Sequence, residues 1–149
     1  MIAVAVDASV AAKWFLNEPD AVAARALLAQ AVRLGQRFVA PPNFRSELAN
    51  AMLQRSRTNR ADLRISASSA YQAIGLFGTL GVETLDTTEL YTMGFQVAES
   101  YGLPSIYDAL YVATARLAEC ELWTADQRLL RALDGRLSFV KALADFHPA

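Results

Sequence analysis

Histidine and cysteine are nearly missing from this chain: among 149 residues there is one of each, His147 and Cys120. A lone cysteine forms no internal disulfide, and a lone histidine near the C-terminus argues against a His/Cys metal centre or a Ser–His catalytic pair. Charge is sparse as well. Charged residues are 19% of the chain, below the ~25% of an average globular protein, which hints at a surface covered by a partner. Lys and Arg total 14 against 15 Asp and Glu, a formal net charge of -1, so no global field draws the chain to polyanions or membranes. Nucleic-acid contact would need a local patch. A membrane-spanning run is also missing: Ile65 to Val82 is the one long uncharged stretch, but Ser66, Ser68, Ser69, Gln72, Thr79 and three glycines make it too polar. The N-terminal MIAVAVD has no cationic start and meets Asp7 before a signal-length apolar stretch develops. The expected compartment is the cytoplasm. What is plentiful is apolar material, 54% of residues, which excludes intrinsic disorder. A chain this long hides roughly 70% of its unfolded surface, and residues 1–149 are expected to form one domain.

Short β-like runs alternate with helical patterns. Ile2 to Val6, Arg37 to Ala40, Val82 to Leu85, Glu121 to Thr124 and Leu137 to Val140 read as strands. Between them, helical spacing runs over Ser9 to Asn17, Ala21 to Leu34, Asn43 to Arg57, Ala61 to Leu80, Glu89 to Tyr101, Ser105 to Ala118 and Gln127 to Leu133. The alternation predicts an α/β fold, a three-layer α/β/α sandwich around a central parallel sheet, with ligands gathering at the carboxyl ends of the strands.

With histidine and cysteine scarce, hard chemistry falls to carboxylates. Asp7 follows the first strand and Asp126 the strand ending in ELWT, so a parallel sheet sets both on one edge. Each alone reads equally well as a helix N-cap. Asp108 shares a helical stripe with Val112 and Ala115, a face suited to burial, although Ser105-x-x-Asp108 also has capping-box spacing. Glu47 lies beside the stripe of Phe44, Leu48, Ala51 and Met52, where a solvated flank residue is the ordinary expectation. Taken jointly, two strand-end acids and two acids on core-proximal helix edges point to a shared ligand. Mg²⁺ or Mn²⁺ takes oxygen ligands, keeps waters and bridges to phosphates, which suits an all-carboxylate cluster. Ser9 and Thr124, each two residues from a strand-end acid, are placed to orient carboxylates or ligated waters, or equally to cap turns.

Three segments, VDASVAAKWFLNEP, PPNFRSELANAML and IYDALYVATARLAECELWTADQRLL, resemble the blocks of PIN-domain ribonucleases, and most of all the VapC-like toxins of bacterial type II toxin–antitoxin pairs. The resemblance covers nearly the whole chain. It implies that Asp7, Glu47, Asp108 and Asp126 are the catalytic, metal-binding acids, accompanied by Ser9 and Thr124. It further implies a divalent-metal-dependent endoribonuclease, a cognate antitoxin docking over the acidic site, and a homodimer. One departure is Ala118-Glu119-Cys120, where many relatives have a glycine before the strand leading to the last acid.

Charge is unevenly spread. From Arg33 to Arg64 there are seven arginines and only Glu47 and Asp62 against them, whereas Ile65 to Ala115 holds no Lys or Arg. Arginine forks bind phosphates and stack on unpaired bases, so Arg55, Arg57, Arg60 and Arg64 form a candidate RNA track; a dipole-stabilised helix end is the competing reading. In the charge-free helix, Leu63, Ala67, Ala70, Ile74 and Phe77 make the core-facing stripe. The opposite face, with Ile65, Gln72 and Leu76, is the candidate dimer interface. Two other classes fit the same fold: a phosphoacceptor receiver domain using Asp7, Asp86 and Lys141, and a catalytically idle binding module.

Overall fold

A computed structural model describes residues 2–149. Ala3–Val6 (β1) is entirely buried. Two alanines and two valines in succession suit a strand covered on both faces, as parallel sheets require. Around it run Arg37–Ala40 (β2), Glu83–Thr84 (β3), Leu122–Thr124 (β4) and Val140–Ala142 (β5). All four pairings are parallel, in the order β3-β2-β1-β4-β5. Helices cover the sheet: Ala8–Ala11 (α1, continued by a 3-10 turn Ala12–Trp14), Ala21–Arg33 (α2), Phe44–Arg57 (α3), Ala67–Phe77 (α4), Thr88–Tyr101 (α5), Ile106–Leu117 (α6) and Gln127–Leu133 (α7). This is the three-layer α/β/α arrangement expected from the alternation.

The core is built from sheet and helices together. Trp14 packs edge-on against Phe38 of β2 and donates its indole N–H to the Ala24 carbonyl at 3.0 Å, tying the 3-10 turn to α2. Gly94 lets α5 close on α6, since a Cβ there would stand 2.8 Å from Leu110 Cδ2.

Two expectations need correction. The helix expected from Ala61 starts at Ala67, because Thr58 ends α3 in extended backbone and Ser66 caps α4 by accepting the Ser69 N–H at 3.0 Å. Ile65 therefore precedes the helix and packs against the core, so it is no part of an outer α4 face. The buried stripe of α4 is Ala70, Ala73 and Phe77, and Ile74 is left 42% exposed. The last strand is displaced too: Leu137 is buried, but pairing starts where Val140 meets Leu122. Hydrophobicity marks burial there, and register is set by the neighbouring strand.

Candidate active site

The strand order reverses direction between β1 and β4, with β2 and β3 built out on one side and β5 on the other. Ligand crevices in open parallel sheets form at the carboxyl ends of such a pair. Asp7 is the residue after β1, and Asp126 lies two beyond the end of β4. Glu47 and Asp108 join them from the first turns of α3 and α6.

Asp7 is 5% exposed. Its Oδ1 accepts the Ser9 hydroxyl and the Val10 N–H, and its Oδ2 accepts the Thr124 hydroxyl. Ser9 Oγ also accepts the Ala125 N–H at 3.0 Å, and Thr124 Oγ1 the Asp126 N–H at 3.0 Å. The two hydroxyls thus bridge the ends of β1 and β4 while turning their protons on Asp7. Each carboxylate oxygen has two lone pairs, so one on Oδ2 is left for a ligand. Burial pushes the Asp7 carboxyl up to about 6; the hydroxyls and the Val10 N–H oppose this, and the charge of Asp126 adds to it.

Asp126 caps α7, its Oδ1 accepting the N–H groups of Arg128 at 2.9 Å and Leu129 at 3.3 Å. Capping and site membership are compatible, because the cap uses Oδ1 alone. The capping box proposed for Asp108 is not formed, as Ser105 makes no side-chain cap bond. Asp108 is half-buried and its carboxyl is raised by burial, then by the charges of Asp126 and Glu47, with Arg128 acting in the other direction. Glu47 is no free flank residue: Oε1 accepts from Asn43 Nδ2 at 2.6 Å and Oε2 from the Tyr111 hydroxyl at 2.8 Å. The charge of Asp126 thus reaches both Asp7 and Asp108, and that of Glu47 reaches Asp108, which sets the four acids around one end of the β1–β4 pair.

Tyr111 and Asn43, which hold Glu47, are members of the candidate site that sequence reasoning missed. Tyr111 is 2% exposed, and burial together with the Glu47 charge drives its phenol far above the ordinary range, so it is a fixed donor. The available signal was its place three residues after Asp108 in a stripe of smaller residues, where a buried phenol needs a partner.

The site fits a hard cation by the chemistry of its donors. Oxygen is the only donor type, burial and then neighbouring acid charges raise the proton affinity of Asp7 and Asp108, and Asn43 Oδ1 is buried with no hydrogen-bond partner among the described residues. Among the described residues no three such side chains close into a ready-made metal cage.

The remaining predicted residues are dispersed. Arg55 is 21% exposed and ion-paired with Glu18, Arg60 pairs with Asp62 at 3.0 Å, and Arg64 Nε donates to the Thr58 carbonyl at 2.8 Å. Arg57 is exposed at the end of α3. Gln72 and Leu76 are exposed on α4, Leu76 by 50%. The receiver arrangement fails on topology: Asp86 follows edge strand β3 and Lys141 lies in edge strand β5, four strand spacings or roughly 19 Å apart. A larger cavity of about 450 Å³ lies at the amino ends of the strands, beside Ile2, Gln36, Cys120 and Phe139. It is remote from the acids, and burial pushes the Cys120 thiol up to about 11, which keeps it protonated.

Comparison with known proteins agrees with this geometry. The PIN domain family model matches residues 4–135. Among solved structures, the crystal structure of PAE2754 from Pyrobaculum aerophilum superposes with a TM-score of 0.60 at 21% sequence identity, covering 96% of this chain and 92% of that one. At such identity the likeness is one of fold. No curated protein matches.

Proposed function

Because the chain belongs to the PIN domain family, whose members are generally metal-dependent nucleases, we propose that it is a divalent-metal-dependent endoribonuclease and the toxin of a toxin–antitoxin pair. The observation that carries the reading is the convergence of Asp7, Asp126, Asp108 and Glu47 from four elements at the β1–β4 switch point. Capping accounts for Asp7 and Asp126, and hydrogen bonds from Asn43 and Tyr111 for Glu47, while a shared ligand is the one reading that joins all four. The resemblance of the three sequence blocks to VapC-like toxins supports RNA as substrate, a cognate antitoxin over the site and a homodimer.

Asp7, Asp108, Asp126 and Glu47 would hold Mg²⁺ or Mn²⁺, which when bound lowers the pKa of water and stabilises charge on the phosphorus. Ser9 and Thr124 keep Asp7 oriented through their hydroxyl protons. Tyr111 and Asn43 hold both oxygens of Glu47, so the longest of the four acidic side chains enters the site in one conformation. Water adds to phosphorus as the 3′-oxygen leaves with a proton, giving 5′-phosphate and 3′-hydroxyl ends. No histidine is required.

The test is cleavage of structured RNA with added Mg²⁺ or Mn²⁺ and with EDTA, followed by end-group analysis. Metal-dependent cleavage with 5′-phosphate ends, abolished in Asp108→Asn, is expected. Full activity in EDTA, or 2′,3′-cyclic phosphate products, would contradict the reading.

A further inference from the structure

A groove of about 340 Å³ runs between α1 with its 3-10 turn and α3. None of the four acids lines it, but one end of it reaches Ser9, which is hydrogen-bonded to Asp7. On α3, Ala51, Gln54 and Arg55 follow Glu47 by four, seven and eight residues, the spacing of one helical face.

The cations of this groove are not free to take a phosphate. Lys13 donates to Glu18 Oε2 at 2.5 Å and lies 3.1 Å from Asp20 Oδ1, while Arg55 engages Glu18 Oε1. Side chains of Lys13 and Glu18 are each 14% exposed. Two cations face two acids, so the group is neutral, and a phosphate entering there would meet Glu18 before any unpaired charge. What the groove does offer is an apolar floor of Ala8, Ala12, Leu16 and Ala51, edged by the Gln54 amide and the Ser9 hydroxyl. The volume would hold roughly ten waters, hence one aromatic base. Apolar side chains against the π-face, with hydrogen-bonding groups along the edge, are one way in which proteins hold a base turned out of its stack.

We propose that this groove is a subsite for the unpaired nucleobase of the nucleotide adjoining the cleaved bond. The proposal rests on the nuclease reading for its placement in the reaction, but base binding itself requires neither metal nor cleavage. Gln54 is then the specificity-determining side chain, with two donors and one carbonyl acceptor to read the edge of the base.

The experiment uses the full chain with labelled methyl and side-chain amide groups, in EDTA, followed by NMR. The four common ribonucleosides and, separately, ribose 5-phosphate are the probes. Nucleosides should shift the methyl signals of Ala8, Leu16 and Ala51 and the Gln54 amide, and ribose 5-phosphate should shift none of them. Ala51→Phe should abolish the nucleoside shifts. The independent variant Gln54→Ala, at an exposed position, should change the relative affinities of the four nucleosides by about fivefold or more, the lower end of a base contact. Shifts with ribose 5-phosphate alone would make the groove a phosphate cleft, and silence with every probe would likewise overturn the proposal. RNA cleavage with a silent groove would sink only this subsite, whereas nucleoside binding without metal-dependent cleavage would sink only the nuclease reading.

Discussion

Asp7 is held ionised at a cost that the fold bears. Its carboxyl lies at about 6 against an ordinary 3.8, so the folded chain binds this proton more tightly than the unfolded one. The linkage is favourable below the unfolded value near 4 and is lost as pH rises through about 6. At about 1.4 kcal/mol per pH unit, the loss by pH 7.5 comes to about 3 kcal/mol. Asp7→Asn should therefore raise stability in EDTA at pH 7.5 by up to about 3 kcal/mol, with the gain fading toward pH 4, while abolishing cleavage. Chemical denaturation at the two pH values checks it; equal stability of the two proteins at pH 7.5 would contradict it. Tyr111→Phe keeps the ring and removes the bond to Glu47 together with the phenol's contact to the Ala8 N–H, so it should cost about 1.5–3 kcal/mol, the range for a hydrogen bond to a charged group, and slow cleavage. The four acids were legible because each stands at a strand end or in a first helical turn, positions that sequence pattern locates. The Asn43–Glu47–Tyr111 linkage was not, since it joins residues 64 apart in the chain and exists only once α3 and α6 are packed.

Turns and helix ends show the same division. The strand Arg37–Ala40 and the helix Gln127–Leu133 fall where the sequence patterns put them, whereas α4 does not, because Ser66 outcompetes the apolar periodicity that continues through Leu63. Between α6 and β4, Glu119 has a φ of 51°, a left-handed conformation that costs a non-glycine residue roughly 1–2 kcal/mol. Glycine gives back about 0.5–1 kcal/mol of that in chain entropy. Glu119→Gly should thus stabilise the protein by about 0.5–1 kcal/mol, about 1–4 °C in Tm for a chain of this size, with cleavage unchanged. At the end of α3, the sequence displayed a run of arginines but not their partners. Arg55 is tied to half-buried Glu18, whereas the Arg60–Asp62 pair is solvent-exposed and weak, so the candidate RNA track narrows to Arg57, Arg60 and Arg64. Changing these three to Ala should flatten the log–log salt dependence of RNA binding by up to about 2, at ~0.7 per single-strand phosphate contact. An unaltered slope would leave them as a solvated helix end.

For the whole molecule, the α/β class and the sheet edge that carries Asp7 and Asp126 followed from alternation and from two strand-end acids; association with other chains leaves a fainter trace. Exposed Tyr71 and Leu76 stand in α4, a helix without Lys or Arg. The homodimer reading predicts that Leu76→Arg converts a dimer to a monomer in sedimentation at micromolar concentration, with helical content preserved, since an unpaired charge is costly to bury. A native monomer would remove that reading and leave the nuclease site untouched. The central claim is that acids from four elements act as one cation-holding site, and titration of Mn²⁺ into the RNA-free protein, followed by calorimetry, tests it most directly. Saturable binding to the native chain, weakened at least tenfold in each of Asp7→Asn, Asp108→Asn and Asp126→Asn, is predicted; binding unchanged in all three variants, or none to the native chain, would contradict it.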